Sequence, residues 1–194
     1  MMRLATPACL VILLLAGADA AAQRSAPGPA QQPLAALVGV WRFEGEVKAV
    51  PAIGAADSGP VVYTHVNEMT NGGFFLETRR TGSGPSGEVE ELFVYGWDAA
   101  AGVYRQDGYN NRGQIRRFTG TLEGRAWRFA GTNLSAAGRT TQERFTVTYS
   151  ADMQTATVRS EHSTNGVDWF ERLTGTYTRV SATVPAPHVP QNVR

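Results

Sequence analysis

Across residues 40–48 polar and apolar side chains alternate. Trp41, Phe43, Gly45 and Val47 share one parity, and Arg42, Glu44, Glu46 and Lys48 take the other. A period of two puts each set on its own face of an extended chain, so this segment reads as a half-buried strand and not as a helix. Further β-rich runs follow at residues 61–68, 74–81, 88–97, 103–109, 114–122, 126–132, 141–149, 155–163 and 168–180. Asn71-Gly72, Asn165-Gly166 and Gly124 supply residues suited to the positive φ of tight hairpin turns. Residues 98–102 and 110–113 suit slightly longer loops, and only residues 34–38, with the Gly/Pro-rich loop 51–60, leave room for a helix or lid. Short strands joined by tight turns predict an all-β meander, and closing it removes two raw edges that would invite aggregation. The expected fold is a closed or nearly closed antiparallel up-and-down barrel of about eight to ten strands, spanning residues 34–180.

The ends read differently. Arg3, then the apolar run Cys9-Leu10-Val11-Ile12-Leu13-Leu14-Leu15, then Ala18-Asp19-Ala20 and Ala20-Ala21-Ala22 form the charged, apolar and small-residue regions of a secretory signal peptide over residues 1–22. The apolar run is too short to span a bilayer. The expectation is a periplasmic or secreted protein with no stable membrane anchor after cleavage. Residues 23–33 read as a disordered leader and residues 181–194, with three prolines, as a disordered tail.

Cys9 is the chain's one cysteine, so a mature chain has none, which excludes disulfides, thiolate catalysis and cysteine-based zinc or iron–sulfur sites. Net charge is +1 with both signs interleaved, which argues against a nucleic-acid surface. Lys48 is the only lysine among 18 basic residues. A coding bias and an arginine-lined anion site both account for that. The three histidines, His65, His162 and His188, lack metal-ligand spacing, so no metal site is expected. There is no Gly-x-Ser-x-Gly elbow, phosphate loop or dinucleotide fingerprint, and Glu90-Glu91, as strand neighbours, point to opposite faces.

Gly39-Val40-Trp41 resembles the Gly-x-Trp signature of calycin barrels, and Tyr177-Thr178-Arg179 resembles the arginine that those barrels lay over that tryptophan. The layout is also similar to DUF1579, a family of exported bacterial proteins. The matching pieces are residues 37–41, the hairpin Asn71-Gly72-Gly73-Phe74-Phe75-Leu76-Glu77, Val94-Tyr95-Gly96-Trp97-Asp98, and Gly175-Thr176-Tyr177-Thr178-Arg179. This resemblance implies a lipocalin-like fold with no established activity. Haem-binding barrels similar to nitrobindin also begin Gly-x-Trp and carry a proximal histidine near the C-terminal end. Here Arg159-Ser160-Glu161-His162-Ser163 does not match that motif, so haem ligation by His162 is not expected, nor is any other cofactor.

Charged residues that share parity with aromatic ones are the site candidates, because an ionised group in an apolar cavity costs several kcal/mol unless it is paired or liganded. Glu91 shares a face with Phe93, Tyr95 and Trp97; Arg105 and Asp107 with Tyr109; Arg117 with Ile115; and Glu171 with Trp169 and Leu173. Tyr104, Phe118 and Leu122 lie on opposite faces, so either face of those strands can be the inner one. On the leading reading these charges form an interior network, Tyr95, Trp97, Tyr109 and Trp127 give contact area, and Arg105 or Arg117 orients an acidic group. The protein would then be a small-molecule binding module for a partly apolar ligand. The alternatives are an enzyme with Glu91, Asp107 or Tyr109 as proton carrier, and an envelope protein with a filled barrel acting through its outer surface. The oligomeric state is left open.

Overall fold

The structure, a computed structural model, describes residues 26–184. The ten strands are β1 (Gly39–Val47), β2 (Gly59–Thr70), β3 (Phe75–Gly84), β4 (Gly87–Asp98), β5 (Val103–Asn110), β6 (Ile115–Glu123), β7 (Ala126–Leu134), β8 (Thr140–Tyr149), β9 (Thr155–Ser163) and β10 (Phe170–Ser181). Each pairs antiparallel with its successor, and β10 pairs back onto β1, so the all-β meander closes into an up-and-down barrel without an edge. Turn chemistry fixes where the strands reverse. Gly124, at φ 62, occupies the left-handed position of the β6–β7 hairpin that a side chain would strain.

Trp41 and Arg179 stand directly opposite each other in the β1–β10 register. The Arg179 guanidinium lies 4.8 Å above the Trp41 ring. Its Nη2 donates to the carbonyls of Ala36 (2.9 Å) and Val38 (2.6 Å). Trp41 Nε1 donates to Leu37 O at 2.9 Å, and Asn67 Nδ2 donates to the same carbonyl at 3.0 Å. These bonds hold a short N-terminal cap across one end of the barrel.

That cap corrects the expectation of a disordered leader as far as residue 33. Residues Pro29–Gln31 form a 3-10 turn and Gln32–Ala35 a helix, α1. The proline in its first turn is preset for helical φ. Leu34 in α1 and Leu37 in the turn that follows it are buried against Leu76, Tyr104, Phe118, Trp127 and Phe129. Tyr104 Oη also donates to Ala30 O at 3.0 Å. The proposed signal peptide, and the tail beyond residue 184, lie outside the described residues.

One glycine makes room for the interior. A Cβ on Gly108 in β5 would come within 2.7 Å of the Phe93 ring and 3.3 Å of Arg116 Cβ. Gly108→Val is therefore expected to destabilise the fold by about 1–3 kcal/mol through overpacking. Urea unfolding measures it, and a cost below about 0.5 kcal/mol, the level of an ordinary surface change, would show that the Phe93 ring is free to give way.

Candidate functional site

Closure decides which parity faces in. Inside are Trp41 and Phe43 on β1, Thr78 and Arg80 on β3, Glu91, Phe93, Tyr95 and Trp97 on β4, and Tyr104 and Gln106 on β5. Arg116 and Phe118 on β6, Trp127, Phe129 and Asn133 on β7, Glu143 and Phe145 on β8, and Ser160 and His162 on β9 follow, and His65 and Asn67 on β2 with Leu173 and Tyr177 on β10 complete the ring. The capped end is aromatic and the open end carries the charges. Between them lies a cavity of about 110 Å³. The mouth outside it holds about 380 Å³, and Arg80, Arg116, Glu143, Ser160 and Leu173 line both spaces.

The four polar residues among these belong to a buried polar girdle. Glu91 lies opposite Arg80 in the β3–β4 register and is ion-paired with it. Arg116 Nε reaches the other Glu91 oxygen at 3.1 Å, across the space that Gly108 leaves. The Glu91 side chain is 1% exposed, so two guanidiniums are the compensation that a desolvated carboxylate requires. Arg80 is further held by aromatic faces, 4.6 Å from the Tyr63 centroid and 5.2 Å from that of Phe93.

Glu143 is the second buried acid. Asn133 Nδ2 donates to it at 2.6 Å and Ser160 Oγ at 2.8 Å, while His162 Nε2 lies 3.5 Å away. Burial pushes the Glu143 carboxyl up, but the His162 contact and charge, the charge of Arg116 and the Asn133 bond outweigh it and hold the group well below the usual carboxylate range. It stays ionised.

Deeper in, Tyr177 Oη lies 3.4 Å from His65 Nε2. Burial, and the charge of Arg80 after it, hold the imidazole of His65 well below its ordinary 6.5. Burial raises the phenols of Tyr95, Tyr149 and Tyr177, the last to about 12, so all three keep their protons. Besides the ion-paired atoms of Glu91 and Arg116, Asn67 Oδ1, Gln106 Oε1 and Arg80 Nε remain without a hydrogen-bond partner among the described residues around this space. Gln106 is only 3% exposed.

A depressed histidine couples folding to pH. Below 6.5 the unfolded chain takes up a proton that native His65 refuses, so stability falls as pH falls from there towards the native value. Glu143 acts in the same direction at lower pH, since its carboxyl protonates more readily when unfolded. Urea midpoints measured from neutral pH to about pH 5 should decline, and His65→Asn should flatten that decline. An equally steep decline in the variant would assign the effect to another group.

The structure sorts the sequence candidates. Glu91, Tyr95, Trp97 and Trp127 face the interior. Arg105, Asp107, Tyr109 and Arg117 face outward, which corrects the expectation that they line the cavity: Arg105 pairs with Asp98 at 2.7 Å on the outer surface, and Tyr109 is 48% exposed. On β5 and β6, Tyr104, Gln106, Arg116 and Phe118 take the inner face instead. Asp107 and Tyr109 are thus unable to act as proton carriers in the cavity. Glu171 is also outside. A bulge between Glu171 and Leu173 inverts the parity of β10, setting Glu171 against Lys48 and Arg159 and turning Arg172 towards Asp57 at the mouth.

Arg80, Gln106, Arg116 and Glu143 were missed. Glu143 shares parity with Phe145, Val147 and Tyr149, so the rule that found Glu91 would have found it. Arg116 likewise shares parity with Phe118 and Leu122. Arg80 stands beside Arg79, and either could have been the inner one. His162 faces inward at the mouth, against Glu143. Among the described residues no group of three or more His, Cys, Asp and Glu is placed to hold a metal ion.

Fold and lining together define a closed ten-stranded antiparallel barrel enclosing a polar-girdled cavity. The chain is similar in fold to the crystal structure of Rv2717c from M. tuberculosis, with a TM-score of 0.56 and 15% sequence identity over 78% of this chain and 98% of that one. At that identity the likeness shows the fold alone. No protein-family model and no curated protein matches the chain.

Proposed function

We propose that this protein is an exported, lipocalin-like binding protein that holds one small, partly apolar molecule inside its barrel. The observation that carries this reading is the interior of about 110 Å³, where Gln106 Oε1, Asn67 Oδ1 and Arg80 Nε lack partners between an aromatic floor and an ionic girdle. Buried polar atoms without partners cost about 1–3 kcal/mol each, so a fold that only needed filling would put apolar groups there. A ligand offering two donors, to Asn67 Oδ1 and Gln106 Oε1, and one acceptor, to Arg80 Nε, would satisfy them. An apolar cavity of about 150 Å³ holds benzene, which sets the scale at a single ring or a short chain. The motif resemblance to the DUF1579 family supports an exported protein of this kind, and the segment over residues 1–22 supports export to the periplasm or beyond.

Trp41 and Trp127 line the cavity, so intrinsic fluorescence reports on its contents. Titration with a library of phenolics, short-chain lipids and porphyrins should yield a class that changes the emission and raises Tm. Saturation at 100-fold over Kd adds about 2.7 kcal/mol. Gln106→Leu removes an unpartnered acceptor, so its stability is expected to hold or rise while affinity falls about tenfold. The reading fails if no class changes emission or Tm, or if Gln106→Leu binds unchanged.

A further inference from the structure

The mouth holds more positive charge than its acids can neutralise. Arg80, Arg112, Arg116, Arg139 and Arg172 line it, against the carboxylates of Asp57, Glu91 and Glu143. Glu91 is taken by Arg80 and Arg116, Asp57 by Arg172, and Glu143 by Asn133 and Ser160. Among the described residues, Arg112 and Arg139 have no carboxylate within ion-pair distance.

Both arginines are set on the rim. Arg112, in the β5–β6 turn, donates through Nη2 to Ser86 O at 2.8 Å and Glu88 O at 3.1 Å, which fixes its direction but leaves its charge. Arg139, in the β7–β8 turn, lies against the β1–β2 loop: a Cβ on Gly54 would be 3.3 Å from its Nη1. In the barrel order β9 and β10 separate these two connections, so the Arg139 side chain reaches over part of the opening. The two turns meet, since a Cβ on Gly113 would be 3.2 Å from Ala136 Cβ. An opening with low-dielectric walls and surplus charge of one sign concentrates the field along its axis.

We propose that the mouth selects a carboxylate: the ligand is a small amphipathic acid whose apolar part enters the aromatic chamber and whose carboxylate is held by Arg112 and Arg139. This deepens the reading above and rests on it. A planar carboxylate suits guanidinium forks, and these two are the mouth arginines with donors not committed to an acid. The surplus of arginine over lysine in the sequence thereby has a use at this rim.

The test is calorimetric titration of the full-length mature protein with a matched series of aryl and alkyl carboxylates and their primary amides, at low and at high ionic strength. Each acid is expected to bind about tenfold tighter than its amide at low salt, the advantage shrinking as salt rises. Arg112→Gln/Arg139→Gln, both exposed turn positions, should bring acid and amide to equal affinity and keep the amide's own binding. Acetate alone is expected to bind far more weakly than the longer acids. Amides binding as tightly as acids to the wild type would overturn the carboxylate inference and leave the cavity reading standing. Acetate binding as tightly as the amphiphiles would overturn the amphipathic part. Binding by no member of the series counts against both.

Discussion

Replacing Glu91 with glutamine costs the fold about 3–5 kcal/mol, because Arg80 and Arg116 then lose the carboxylate that pairs with both and only Glu143 is left as a buried acid in the girdle. Glutamine keeps the shape and one acceptor but removes the charge, so the loss measures electrostatics more than a cavity. With a urea slope of about 2 kcal/mol/M, the midpoint falls by about 1.5–2.5 M. Alanine costs at least as much. The triple change Arg80→Leu/Glu91→Leu/Arg116→Leu is the informative control, since removing every member of a buried ionic group is often neutral or stabilising. If it recovers most of the loss, the girdle is retained for something other than stability, as a ligand-orienting role requires. A loss below about 1 kcal/mol in Glu91→Gln would mean that water screens the girdle as it does a surface pair.

Trp41→Ala is the second large effect. It removes a side chain that is 2% exposed, its bond to Leu37 O and the platform under Arg179, and about 3–5 kcal/mol is expected from the cavity alone. The same change should release the cap, because Arg179 and Leu37 O lose the partner between them. Amide exchange at residues 34–38 separates the two consequences, accelerating more than exchange in β6–β7 if the cap opens locally. Trp41→Phe keeps an aromatic face for Arg179 and should cost roughly half as much. Equal acceleration everywhere would mean that Trp41 serves the whole barrel and the cap has no independent anchorage.

Much of the fold was legible because its physics is local. Alternation in β1, glycines in the hairpins and the lack of any long helical period restrict the chain to a meander, and edge avoidance then closes it. Glu91, Tyr95 and Trp97 were legible as sharing one face of a strand, and Trp127 as an aromatic on a neighbouring one, but not as facing inward, because Leu92, Val94 and Leu134 give the opposite faces apolar groups too. Residues 29–33 of the N-terminal cap read as leader because they hold no large apolar side chain, whereas residues 34–38 read as room for a helix or lid; the order of the whole segment comes from the barrel end that Leu34 and Leu37 fill.

What the chain determined by itself is the period of each strand, the site of each turn and the residues that share a face. Which face looks inward on β5 and β6 was decided only by tertiary structure, since both faces carry large apolar groups there and closure selects the set that packs against Phe93, Trp97 and Trp127. The bulge in β10 is a second such decision, for one unpaired residue reverses parity without leaving a mark on the pattern. The girdle itself is non-local: Arg80, Glu91, Arg116 and Glu143 sit on four strands, and only register brings them level.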